Sequence, residues 1–349
     1  MPIRQMEEFL DKVIHHNKTW PNCWDIDDCG NAVQSVKPPG TGSRNMYDAC
    51  DYIVVPEAAA YDASYSEIFA DYGPAAVFLS HVWGEEAQNT KAALEKLRDF
   101  VLTKQIGRTN MNFRGHFPAE ETSMEDPTTV DNLLFRVYFC VTCNNQSRIA
   151  EELGNKVIYS PFARVLQTRF CFQVALISPL KALHRKWCNY EYCFARKLKK
   201  PVFMLTSDGI VDQGQVPPKT MRDLAKTVTT FNCRNAKCAS AADEKFINDA
   251  VEEMDIGGYD TQTEIIKEIF SAAILHAHEL LERALHTVEG GLEDESPTKS
   301  EMLTFQGRDK AVAFENKPVN MLEMEPHSRS GSDLEDVIGG ADEADTISV

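Results

Sequence analysis

A chain of 349 residues, 43% of them hydrophobic, can fill at least one full core, and its net charge of −17 repels a phosphate backbone, which argues against nucleic acid as a main partner. The longest strongly apolar stretches, around residues 75–82 and 170–180, fall well short of the about 20 residues that span a bilayer, so no membrane association is expected. Ten cysteines are too dilute for a small disulfide scaffold and no continuous apolar signal segment opens the chain, so reduced thiols in the cytoplasm are the expectation.

Ile3, Met6, Phe9, Leu10, Val13 and Ile14 recur at helical spacing and predict a short docking helix. Residues 17–60 are rich in Asn, Asp, Gly and Pro, with KPPGTG at 37–42, and read as an irregular wrap without a fold of its own. From Gly73 the pattern changes. PAAVFLSHVW (74–83) is an apolar run of the buried-strand type, and Ala93, Leu94, Leu97, Phe100 and Val101 then mark an amphipathic helix. After a polar stretch at 104–130, a second strand is expected over 133–141 and a helix from near Asn145. FCFQVALISP (170–179) gives a third strand, residues 181–199 a helix, PVFML (201–205) a fourth strand, and residues 228–231 a fifth.

Strands alternating with helices predict an α/β fold, a five-stranded parallel sheet with helices on both faces. Two further helices follow, over 241–254 and 261–285, the second with Ile266, Ile269, Phe270, Ala273, Ala277, Leu280, Leu281 and Ala284 at three-to-four spacing. Residues 286–349 carry 5 basic and 15 acidic side chains with little apolar periodicity, the composition of a disordered acidic tail. The resulting division is a docking helix and wrap at 1–70, an α/β domain at 71–232, a helical extension at 233–288 and the tail at 289–349.

In an open parallel sheet, ligands bind beyond the carboxyl ends of the strands. The candidates there are Ser80, His81, Trp83, Gly84 and Glu85 after the first strand, residues 144–146 after the second, and Ser178 after the third. On the next helix Leu183, Trp187, Tyr190, Phe194 and Leu198 form an apolar stripe, with Arg185, Arg196 and Lys200 opposite. Glu191 lies about 40° from Trp187, at the stripe's edge, where desolvation raises a carboxyl pKa. Pairing with Arg185, Lys186 or another base is the ordinary structural explanation for such a Glu. Cys140-Val-Thr-Cys143 has redox or zinc spacing, but a Cys140 inside a strand does not suit a metal knuckle, so buried thiols and no metal are expected.

VFLSHVWGEE resembles the first box of the Toll/interleukin-receptor (TIR) family, and ISPLKALHRKWCNYE resembles the segment in which a strand ends in Ser and the next helix carries Trp-Cys-x-x-Glu. Trp187, Cys188 and Glu191 match that motif residue for residue, and the likeness covers about residues 74–232. Ser80–Gly84 and Asn145–Gln146 are similar to TIR-like proteins of unicellular eukaryotes. The resemblance implies a flavodoxin-like sheet, a signalling or scaffold module that associates through TIR-type contacts, homo-oligomers included, and alternatively an NAD-cleaving hydrolase. In that case Glu191 is the catalytic carboxylate, with Ser80, His81, Trp83, Ser178 and Trp187 lining the nucleotide site and NAD serving as substrate, not as a cofactor. Trp187 is read in the first place as core packing. No Arg-Asp or Gly-rich box follows the second strand, and Cys140 stands where the related proteins carry an acid, so the module reading is the favoured one.

Overall fold

The computed structural model describes residues 1–15, 20, 22–26, 32–36, 44–70, 73–106, 136–253 and 258–289. The tail expected to be disordered lies outside the described residues.

The centre is a four-stranded parallel sheet formed by β3 (Val77–Ser80), β4 (Val137–Tyr138), β5 (Gln173–Ile177) and β6 (Val202–Leu205), in the order β4-β3-β5-β6 (β1 and β2 form a separate pair, below). Register is fixed by Phe78 opposite both Tyr138 and Val174, and by Leu176 opposite Met204. Side chains alternate across a strand, and here both faces are apolar, so both must be covered. Val77, Leu79, Val137, Ala175, Ile177 and Leu205 share one core with Ile3, Met6, Leu10 and Val13 of α1 (Ile3–His15) and with Ala93, Leu94 and Leu97 of α5 (Ala87–Ile106). Phe78, Tyr138, Val174, Leu176 and Met204 share the other with Leu166, Tyr192, Leu224, Ile247, Ile266 and Phe270. A buried side chain of this kind contributes about 1.5–3 kcal/mol, so the expected docking helix is held firmly: Ile3, Met6, Leu10 and Val13 have no exposed surface.

The α/β class is as expected, but several elements differ. The described part of residues 17–60 is not an irregular wrap, while KPPGTG at 37–42 lies outside the described residues: β1 (Asn22–Ile26) and β2 (Ala32–Val36) pair antiparallel, and a helical run is formed by α2 (Met46–Ala49), a π-turn (Cys50–Val54) and α3 (Val55–Ala58). Asp48 ties the two together by accepting from Trp24 N at 2.8 Å. A short α4 (Tyr65–Phe69) precedes the sheet. The second strand is two residues long, and Cys140 lies in a helical turn, α6 (Cys140–Cys143), not in the strand. The expected fifth strand is a helix: β-branched Val228, Thr229 and Thr230 suggested a strand, whereas Pro218 at N1 and buried Leu224 and Val228 at four-residue spacing make them the end of a helix over Pro218–Thr230.

The short α7 (Ile149–Leu153) and α8 (Pro161–Gln167) follow β4, and the helix expected over 181–199 is broken into α9 (Pro179–Ala182) and α10 (Lys186–Lys197). Arg185 is extended and pairs with Lys237, whose N–H donates to His184 O at 2.9 Å while Lys186 N–H donates to Lys237 O at 3.1 Å. The helix over Pro218–Thr230 is α11; α12 (Ala241–Glu253) and α13 (Gly258–Glu289) then cover α10 from outside. This removes the single apolar stripe expected for α10, because every residue from Cys188 to Ala195 is buried. Trp187, expected mid-stripe, is only half-buried. No helix among the described residues is long and apolar enough to cross a membrane.

Candidate functional site

The chain leaves β3 towards β4 on one side and returns to β5 on the other, so the switch point of the sheet, where parallel sheets of this kind take their ligands, lies beyond the carboxyl ends of β3 and β5. Ser80 ends β3 there, with 1% of its surface exposed, and its hydroxyl donates a short hydrogen bond to Glu191 Oε2 from α10. Glu191 is 7% exposed. Burial pushes its carboxyl up to about 8, against the opposing pull of the Ser80 hydrogen bond. The expected ion pair with a helix-flank base does not form at this carboxyl: Arg185 is in the extended link, and Lys186 Nζ turns to Glu244 Oε1 and Asn248 Oδ1, each at 2.8 Å. Cys188, one turn before Glu191, donates to His81 O at 3.5 Å, and burial pushes its thiol up to about 12.

His81 and Trp83 converge on one atom. His81 Nε2 lies 3.2 Å from Cys140 Sγ, and Trp83 Nε1 donates to the same sulfur at 3.2 Å. The imidazole stacks on Phe139 with centroids 3.9 Å apart, and burial pulls its pKa down to about 3, so the ring is neutral across the physiological range. Its Nδ1 is buried without a partner. The Trp83 ring meets Tyr47 edge-on at 5.2 Å. Asn144 accepts from the Tyr138 hydroxyl at 2.6 Å, and Gln146 Nε2 donates to Cys140 O at 2.8 Å and Val141 O at 3.1 Å, which pins the turn bearing Cys140.

Ser178 and Trp187 do not join this group. Ser178 adopts φ 55, in the left-handed region that a non-glycine residue enters at a cost of about 1–2 kcal/mol. Its hydroxyl bonds to Glu85, a residue that is 2% exposed. Burial alone would raise the Glu85 carboxyl, but the hydrogen bonds from Ser178, from Asn89 at 2.9 Å and from Lys181 at 3.1 Å hold it below the ordinary carboxylate value. Trp187 contacts Phe162 at 5.1 Å and Phe246 at 6.1 Å, and its indole bonds to Asp243. It is a packing residue between α8, α10 and α12.

Of the six residues that the resemblance places at the site, Ser80 and Glu191 therefore touch, His81 and Trp83 share Cys140, and Ser178 and Trp187 stand elsewhere. Tyr47 was missed because it comes from the stretch read as a wrap. Among the described residues no group of three or more His, Cys, Asp or Glu side chains is placed to hold a metal ion. Two surface hollows lie away from the carboxylate: one of about 500 Å³ between α11 and α13, lined by Val228, Lys267, Ile274 and His278, and one of about 250 Å³ lined by Val157, Tyr190, Phe194 and Phe246. No family model, curated protein or solved structure matches the chain.

Proposed function

We propose that this chain carries a TIR-like domain of the flavodoxin-like type and that the Glu191 crevice cleaves the nicotinamide–ribose bond of NAD. The observation that supports this best is the Ser80–Glu191 contact: a carboxyl on the helix after β5, bonded at the carboxyl end of the central strand and poised near neutrality. A carboxyl with its pKa displaced by burial in such a crevice is the kind of group that does acid–base or electrostatic work.

In the reaction, the bond from ribose C1′ to the nicotinamide nitrogen breaks and its electron pair leaves with neutral nicotinamide. Water adds at C1′ and loses a proton, giving ADP-ribose. The developing ribosyl cation is what the Glu191 carboxylate stabilises, and the same cation favours ionisation of a carboxyl that is mostly protonated at rest. Ser80 holds the carboxyl in place. With Glu191 only 7% exposed, binding of NAD requires the side chains around the carboxyl to move aside.

A second reading, a cytoplasmic module acting through association alone, is favoured by one observation: Leu275, Leu281 and Leu285 of α13 are 59%, 59% and 54% exposed. The two are separated by incubating the purified chain with NAD across a concentration series, and again after clustering through a tag, while nicotinamide is measured. The hydrolase reading expects release that rises more steeply than protein concentration. Self-association with no release under any of these conditions would leave the module.

A further inference from the structure

The Cys140-Val-Thr-Cys143 segment forms one α-helical turn, with Cys143 N–H donating to Phe139 O at 2.9 Å and Asn144 N–H to Cys140 O at 3.1 Å. Helix geometry puts α-carbons three residues apart at about 5 Å, inside the roughly 4.4–6.8 Å that a disulfide spans. Cys143 Sγ accepts from Phe139 N at 3.4 Å, so its sulfur points back to the start of the turn, where Cys140 begins. Both residues are partly buried, whereas the other free cysteines among the described residues are buried; burial pushes the Cys140 thiol well above its ordinary value, which leaves Cys143 as the thiol that reacts first. Beside them is the neutral His81 imidazole, stacked on Phe139, with Nε2 3.2 Å from Cys140 Sγ.

We propose that Cys140 and Cys143 are a redox site, a dithiol that exchanges with small-molecule disulfides of the glutathione class and closes to a Cys140–Cys143 disulfide. Cys143 attacks first, because the Cys140 sulfur is engaged by His81 and Trp83. The Cys143 thiol loses its proton to solvent and its sulfur bonds to one sulfur of the external disulfide, whose S–S bond breaks; the departing thiolate takes up a proton. Cys140 then gives up its proton to solvent and its sulfur bonds to Cys143 Sγ, breaking the bond from Cys143 Sγ to the external sulfur. The second thiolate leaves and takes up a proton. Two protein thiols are oxidised by two electrons and one external disulfide is reduced to two thiols.

The disulfide takes the Cys140 sulfur away from the imidazole and the indole. Cys140 lies near enough to Glu191 for their charges to interact, so releasing His81 and Trp83 from its sulfur changes the surroundings of that carboxyl and with them the access of ligand. The redox site itself does not rest on the NAD reading.

The test equilibrates the folded full chain with glutathione buffers of increasing oxidised fraction, quenches with acid, blocks free thiols with N-ethylmaleimide and digests with trypsin. Cleavage after Arg136 and Arg148 releases both cysteines in one peptide. The expected product is that peptide two hydrogen masses lighter and unlabelled, forming with the second-power dependence on reduced glutathione of an intramolecular disulfide and returning fully on reduction. It is absent from Cys143→Ala, which instead carries at most one glutathione. Tryptophan fluorescence is expected to change with the same midpoint in wild type and not in Trp83→Phe. Full maleimide labelling of both cysteines in the most oxidising buffer, oxidation that appears only in urea, or a bond from Cys140 to Cys188 would each overturn the proposal. Unchanged nicotinamide release on complete oxidation would remove the gating role alone.

Discussion

Glu191→Gln is expected to change the pH dependence of stability in a defined way. The carboxyl titrates near 8 when folded and near its ordinary value of 4.5 when unfolded. Below 4.5 both states are protonated and the group contributes no difference. As pH rises from there the unfolded chain releases the proton while the folded chain keeps it, so unfolding is favoured by about 1.4 kcal/mol per pH unit. The penalty levels off once the folded carboxyl also ionises, above about 8, after a total on the order of 4–5 kcal/mol. Gln keeps the shape and an oxygen for the Ser80 hydroxyl but does not titrate. Any constant cost of its amide shifts the whole curve without tilting it. Urea unfolding of both proteins at half-unit intervals from pH 5 to 9 measures the difference, and subtraction cancels every other titrating group. The wild type should lose ground steadily to the variant up to about pH 8 and then run parallel to it. Curves parallel throughout would mean that Glu191 titrates as an ordinary solvated carboxylate, and the reasoning about its site would be wrong.

Three further outcomes are expected. A Cβ added at Gly209 would sit 2.2 Å from Gln215 O, a backbone atom that cannot yield, so Gly209→Ala should cost about 2 kcal/mol or more in urea unfolding; a loss under 0.5 kcal/mol would show that the turn after β6 relaxes freely. Lys186→Met leaves Glu244 and Asn248 without their shared cation and should cost about 2–3 kcal/mol, with faster amide exchange in α12; unchanged exchange there would show that packing alone holds that helix. Trp187→Ala should cost less than the full deletion of a buried aromatic, about 1–3 kcal/mol, because the ring is only half-buried between Phe162 and Phe246; a larger loss, read by thermal unfolding, would restore it to the core.

The sheet was legible because its strands are short, continuous apolar runs punctuated by turn residues, and four of the five expected strands are present. The fifth failed where β-branched residues outweighed a Pro-initiated helix in the reading of residues 228–231. The two-stranded sheet was invisible because its strands, NCWDI and AVQSV, are held by backbone pairing and by Asp48, a partner distant in sequence. Glu191 could be placed near the apolar face of its helix by periodicity, but not beside Ser80, since that contact joins residues far apart in sequence. The same limit hid the role of Cys140. Periodicity assigned it to a strand, and only the turn that follows β4 brings its sulfur to His81 and Trp83. Ser178 was nominated for its place after the third strand and Trp187 through the motif resemblance, and the structure gives each a local partner set instead.

The most direct measurement is nicotinamide release from NAD by wild type and Glu191→Gln, both verified as folded, between pH 6 and 9. Release by the wild type should rise with pH as Glu191 ionises near 8, and the Gln variant should release none. Equal release by the two proteins, or none by the wild type even when clustered, would contradict the assignment of the Glu191 crevice as a hydrolase site.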